Sequence, residues 1–239
     1  MTASNRVWIG LAAGLVLLAS TRQLDAGNND ALLAKPPKGA VVLFAGKDCS
    51  AWEHRRRETV RPCEWIVTGG ALEVKPGAGS IISKQRFEDF QLRVEFNLPE
   101  MPAVKGQERG NSGVYLHGLY EVQVLDSYNN ETYAKGMCGA IYELKAPDQN
   151  VCRPAGQWQS YDITFRGPRL DGDGKVVMNP RVTVLQNGVQ IHKDVEITTG
   201  PTRASLPGPA VKAGPILLQD HGCKVKFRNI WVKPLKGRQ

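Results

Sequence analysis

Arg181-Val182-Thr183-Val184-Leu185-Gln186-Asn187-Gly188-Val189-Gln190-Ile191 decides the fold class. Apolar and polar residues alternate along the stretch, and Asn187-Gly188 supplies the two positive φ angles that a tight type I′ hairpin turn demands. A period of two buries one face of an extended segment and leaves the other free. The same pattern recurs outward. Leu92, Val94 and Phe96 alternate with Arg93, Glu95 and Asn97, so one side packs while the other meets water or a ligand. Val114 and Leu116 alternate with Tyr115 and His117, Val122 and Val124 with Glu121 and Gln123, and Tyr161-Asp162-Ile163-Thr164-Phe165 repeats the pattern. Segments 215–219 and 225–232 are further strand candidates. Gly, Pro, Asn and Asp punctuate these runs and no long segment has a helical period, which predicts an all-β antiparallel sandwich or barrel. Asp171-Gly172-Asp173-Gly174 reads as a hairpin tip, because the closing Glu of a calcium loop is missing.

The 239 residues fit one domain. A chain of this size buries roughly 70% of its unfolded surface, so neither metal nor disulfides are needed to replace a core. Residues 7–19 form an uncharged apolar run behind Arg6, shorter than a spanning helix and followed by Ala19 and Ser20. This predicts a signal peptide over residues 1–22, with an uncleaved anchor as the alternative. Export to the periplasm or the extracellular space follows, with no stable membrane insertion once the leader is cleaved. Residues 23–40 are polar, carry Pro36-Pro37 and read as a linker, leaving 41–236 as the domain. The five cysteines lack a C-x-x-C pattern; Cys49 with Cys63 and Cys138 with Cys152 are possible bridges on spacing. The net charge of +8 is scattered, with Arg55-Arg56-Arg57 its tightest run, and no aromatic-interleaved basic motif marks a nucleic-acid binder.

The densest polar stretch runs from Gly110 to Tyr142. Tyr115 and His117 share one face, as do Glu121 and Gln123. Asp126 would point away from Glu121 in a regular strand, whereas one bulge after Gln123 would return all three to one face. That spacing resembles the bulged catalytic strand of some retaining glycosidases, but Gln123 stands where a carboxylate is expected. The alternative makes Glu121 an exposed strand residue and Asp126 the start of an Asx-turn with Ser127. Gln219-Asp220-His221 closes an apolar strand with an amide, a carboxylate and an imidazole, placed to line a cleft mouth; His221 can act as a base near neutral pH, or be a turn histidine. His54 and His192 read as surface residues. Gly-x-Ser-x-Gly, Ser-x-x-Lys in a strand-turn-helix setting, and a phosphate loop are all missing.

Phe44-Ala45-Gly46-Lys47-Asp48 with Trp52 and Trp65, Phe90–Phe96, Gly110-Asn111-Ser112-Gly113-Val114-Tyr115, Tyr120–Ser127, Cys138–Tyr142, Gln157–Asp162, Gln219-Asp220-His221-Gly222 and Arg228-Asn229-Ile230-Trp231 together resemble the 3-keto-disaccharide hydrolase family, also called domain of unknown function 1080. The resemblance implies a concanavalin A-like jelly roll of two curved antiparallel sheets, and cleavage of the glycosidic bond in a sugar oxidised to a ketone at C3. A C3 ketone acidifies the C2 proton, so a base can remove it, the enolate can expel the C1 substituent, and water can add back. On this reading Glu121 or His221 is the base and Asp126 completes the catalytic set. Arg93, Glu95, Asn111, Tyr115, His117, Gln123, Gln219 and Asp220 hold the sugar or the enolate. An oxidised carbohydrate is the expected partner, and a separate sugar 3-dehydrogenase is implied upstream. No cofactor is expected; Glu, Asp, Gln and His are competent metal ligands, but their spacing specifies no metal. The competing reading is a non-catalytic carbohydrate-binding jelly-roll module.

Overall fold

The computed structural model describes Met1, residues 32–56 and residues 59–237. The expected leader, apart from Met1, and residues 23–31 of the expected linker lie outside the described residues. In chain order the strands are β1 (Val41–Phe44), β2 (Trp52–Arg56), β3 (Thr59–Pro62), β4 (Ile66–Thr68), β5 (Ala71–Glu73), β6 (Ile81–Ser83), β7 (Phe90–Asn97), β8 (Ser112–Leu116), β9 (Tyr120–Val124), β10 (Trp158–Arg166), β11 (Arg169–Leu170), β12 (Val176–Met178), β13 (Arg181–Gln186), β14 (Val189–Glu196), β15 (Leu217–Leu218) and β16 (Lys226–Pro234).

Two antiparallel sheets pack face to face as a jelly-roll sandwich. One runs β14-β13-β10-β7-β16-β5-β4 with β1 added on β16; the other runs β3-β2-β6-β15-β8-β9. Their inner faces supply the alternating residues expected from sequence: Leu92, Val94, Phe96, Ile163 and Phe165 from the first, Val114, Leu116, Val122 and Val124 from the second, all nearly inaccessible. At about 25 cal/mol per Å² of apolar surface removed from water, this core is the main stabilising term. The hairpin forms as predicted, with Asn187 and Gly188 at φ 53° and 80°. The Asp171 carboxylate accepts the amides of Asp173 and Lys175 and closes the β11–β12 hairpin.

Two histidines correct the sequence reading. His54 is buried on the core side of β2, opposite Ile81, with Nε2 accepting the Glu64 amide and Nδ1 meeting the Ser80 carbonyl. His192 is wholly buried on β14 with Nε2 at 2.8 Å from the Gly139 carbonyl. Strand alternation puts the His54 ring inside between charged Glu53 and Arg55, whereas His192 is buried directly after buried Ile191, where the register of β13 and β14 shifts. All five thiols are free, yet both spacing-based pairs sit together. Cys49 donates to the Cys63 carbonyl, and Gln186, which bonds Gln159, contacts the Cys138 sulfur while Gln159 contacts that of Cys152.

Candidate active site

The outer face of the six-stranded sheet carries the site. Glu121 on β9 stands opposite Tyr115 on β8, which stands opposite Leu217 on β15 and, one strand further, Ile82 on β6. Ile82, Tyr115 and Leu217 form an apolar cluster separate from the main core, with Leu206 packed against it. The segment around Leu206 folds over the face because Leu206 and Thr202 donate their amides to the Gly118 and Leu119 carbonyls. Between that segment and the sheet lies a hollow of ≈ 200 Å³ lined by Asn111, Tyr115, Glu121, Gln123, Gln219 and His221, together with Tyr142, Arg203 and Ala204. Six side chains expected from sequence therefore converge. A larger hollow of ≈ 530 Å³ shares Ala204 and Leu217 with this face and contains no carboxylate among its lining residues.

Glu121 is 3% exposed, and burial pushes its carboxyl up to about 8, partly offset by the Tyr115 hydroxyl and reinforced by the charge of Glu143. Gly113 leaves room for both groups: a Cβ there would overlap the Glu121 carboxylate and stand 2.8 Å from the Tyr115 ring, so a larger residue would displace them. The Tyr115 hydroxyl accepts from Gln219 Nε2 at 2.9 Å and donates to the Arg203 carbonyl at 2.9 Å. Burial drives that phenol far above its ordinary range. Gln219 Oε1 is buried without a hydrogen-bond partner, so the hollow offers an acceptor to a sugar hydroxyl. Gln123 and Asn111 are held through Gln107: Gln123 Nε2 donates to Gln107 Oε1 at 3.1 Å and Asn111 Nδ2 to the Gln107 carbonyl at 2.7 Å. His221 is exposed on the rim.

Five sequence-predicted residues lie elsewhere. Asp220 sits beside the site as a positioning residue: its Oδ2 accepts the Gly79 amide and its Oδ1 the Gly222 amide, fixing the turn that carries His221. No bulge follows Gln123, since β9 pairs in unbroken register with β8 and ends at Val124. Asp126 instead forms an ion pair with Arg109 at 2.9 Å and accepts the Tyr128 amide as an Asx-turn. His117 leaves the strand before its alternation can apply, because φ of 55° makes it the first central residue of the Leu116–Leu119 turn. Its ring packs 4.9 Å from Phe165 with Nε2 on the Glu88 carbonyl, and burial holds it neutral. Arg93 and Glu95 belong to β7 in the other sheet, on the face turned away from the core. Glu95 is shut off from water; it is fully buried under Arg93, Arg228 and Asn229 and accepts the Leu33 amide at 2.5 Å. Among the described residues no group of three His, Cys, Asp or Glu side chains stands close enough to hold a metal ion.

Sequence reasoning assigned no role to Tyr142 or Arg203. Tyr142 donates its amide to the Glu121 carbonyl, next to the Val122–Ile141 bridge, so the Cys138–Tyr142 run extends the face beyond β9. Ile141 turns inward and Tyr142 outward, an alternation visible only once that pairing is known. Arg203 lies on an aperiodic segment and gave no signal.

Residues 39–233 match the sequence family described as the 3-keto-alpha-glucoside-1,2-lyase-like domain. The chain belongs to this family. As a 3-keto-alpha-glucoside-1,2-lyase-like domain it is 24% identical to a 3-keto-disaccharide hydrolase of Bacteroides thetaiotaomicron, over 94% of this chain and 88% of that one. Its fold is shared with a Parabacteroides distasonis protein described as a candidate glycosyl hydrolase: 42% identity, TM-score 0.76, 83% of this chain and 85% of that one. A second such protein from the same organism, 20% identical with TM-score 0.63 over 83% of this chain and 94% of that one, shares the fold.

Proposed function

We propose that the protein cleaves the glycosidic bond of 3-keto-glycosides by proton abstraction at C2, elimination of the C1 substituent and hydration. One observation carries this reading: a single buried carboxyl, Glu121, lines the hollow among amides and hydroxyls, with Arg203 and His221 completing the lining. Conventional glycosidases need two carboxyl groups flanking the bond, and the other candidate, Asp126, is spent on Arg109. Elimination needs one base with pKa near the working pH, and burial at about 8 gives Glu121 that character. The side-chain amides of Gln219 and Asn111, each held by one hydrogen bond, have a second N–H to offer the developing enolate oxygen and are fixed before the reaction begins. The family name, with its 1,2-lyase, and the hydrolase name of the Bacteroides relative support the same bond and the same substrate class. Burying an ionisable carboxyl is costly, and a raised pKa suits a base more than a fixed acceptor for sugar hydroxyls. A sugar 3-dehydrogenase must supply the ketone, and we place the reaction outside the cytoplasm on the strength of the expected leader.

The test is release of monosaccharide from a 3-keto-disaccharide and from its unoxidised parent. The keto-sugar alone should be cleaved, and Glu121→Gln should lower kcat by at least ~10²-fold, the low end of general-base contributions, while the fold is kept. Cleavage of the parent alone would indicate an ordinary glycosidase, and binding without cleavage a module.

A further inference from the structure

Elimination leaves a proton to be found for the departing oxygen; Glu121 holds the C2 proton it has just taken, and the hollow offers few other sources. The amides of Asn111, Gln123 and Gln219 are not acids, and the Arg203 guanidinium does not lose its charge. The Tyr115 hydroxyl is already engaged by the Arg203 carbonyl, Gln219 and Glu121. Tyr142 remains inside the hollow, and His221 on its rim. The Tyr142 backbone is hydrogen-bonded to Glu121 itself, at 3.1 Å, so its side chain leaves the sheet beside the carboxyl. Its hydroxyl lies 2.5 Å from that of Tyr133, whose side of the contact opens to solvent: Tyr133 is 46% exposed. The pair is built rather than incidental. The Tyr133 ring lies over Gly136, where a Cβ would displace the ring from Tyr142, and Gly136 returns its amide to the Tyr133 carbonyl. The two rings meet edge to face at 6.3 Å.

We propose that Tyr142 is the catalytic acid that protonates the leaving group, resupplied from solvent through Tyr133; this rests on the elimination reading above. As the C1–O bond breaks, its electron pair goes to the departing oxygen. The enolate electrons form the C1=C2 bond and restore the C3 carbonyl. The Tyr142 O–H bond breaks and its proton completes the released alcohol. Tyr133 then passes its hydroxyl proton to Tyr142 and takes one from water, and the hydroxide left behind is neutralised by the C2 proton that Glu121 gives up, so the cycle closes without oxidant or reductant.

The experiment compares 3-keto-glucosides carrying a nitrophenol, which leaves well without a proton, and a simple alkyl alcohol, which does not. Tyr142→Phe should lose about 10²-fold or more in kcat on the alkyl substrate, the usual worth of a general acid, and much less on the nitrophenyl one. Tyr133→Phe, which keeps the Tyr142 phenol, should show the same selectivity in weaker form and guards against a Tyr142 variant that melts early. Equal losses on both substrates would mean a structural role and overturn the assignment. So would leaving-group selectivity that appears in His221→Gln and not in Tyr142→Phe. Wild-type protein inert toward both substrates would overturn the elimination reading itself, a result distinct from equal losses in an active enzyme.

Discussion

Glu121 is the residue on which chemistry and stability meet. The carboxyl must ionise to act as a base, so kcat/KM should rise with pH through about 8 and level off above it. Stability runs the other way. The folded protein keeps the Glu121 proton up to about 8, whereas the unfolded chain releases it near 4.5. Between those values the native state binds more protons, so the stabilisation from neutral Glu121 is complete below about 4.5 and is lost as pH rises towards about 8. Glu121→Gln abolishes that slope. Its melting temperature should gain on wild type as pH rises across the window, and a constant difference would show the carboxyl to be ordinary. Sequence made Glu121 visible through simple alternation with Val122. It could not reveal the cause of the raised pKa, since burial comes from Tyr115, Gly113 and the covering segment around Leu206.

At the scale of elements, alternation sorts side chains by face but does not say what covers that face. Arg93 and Glu95 point away from the core as the β7 pattern requires, yet β16 and the Leu33–Ala34 backbone close over them. Arg93 bridges Glu95 and Asp162, and Arg228 lies 3.9 Å above the Trp158 ring while holding Glu95. This is a structural ion network that fastens the segment before β1 to the sheet. Glu95→Ala removes the buried carboxylate shared by Arg93, Arg228, Asn229 and the Leu33 amide while Arg93 keeps Asp162, and should cost about 3 kcal/mol, or ~10 °C in melting temperature. Turnover per folded molecule should stay at the wild-type level, because the network lies on the other sheet from Glu121. Loss of turnover without loss of stability would return Glu95 to the active site. His117 and Asp126 mark the same boundary of legibility: one positive φ and one Asx-turn, each beyond a strand's end, override the period of two.

Across the whole molecule, the sandwich was readable because its core depends on a local period, and the hairpin because Asn-Gly has few alternatives. The hollow was readable only in part. Asn111, Tyr115, Glu121, Gln123, Gln219 and His221 come from three segments whose sequence spacing carries no information about their order in the sheet; β15 inserts between β6 and β8 and brings Gln219 to Tyr115. Residues 202–206 close the hollow through backbone hydrogen bonds that no side-chain pattern announces. Everything functional in this arrangement converges on the proton at C2 of the sugar. The decisive measurement uses a 3-keto-glycoside deuterated at C2, turned over in ordinary water, with rate and product followed together. A primary isotope effect on kcat/KM and loss of deuterium from the released keto-sugar, both abolished with activity in Glu121→Gln, are the predicted result; full retention of deuterium at an unchanged rate would contradict it.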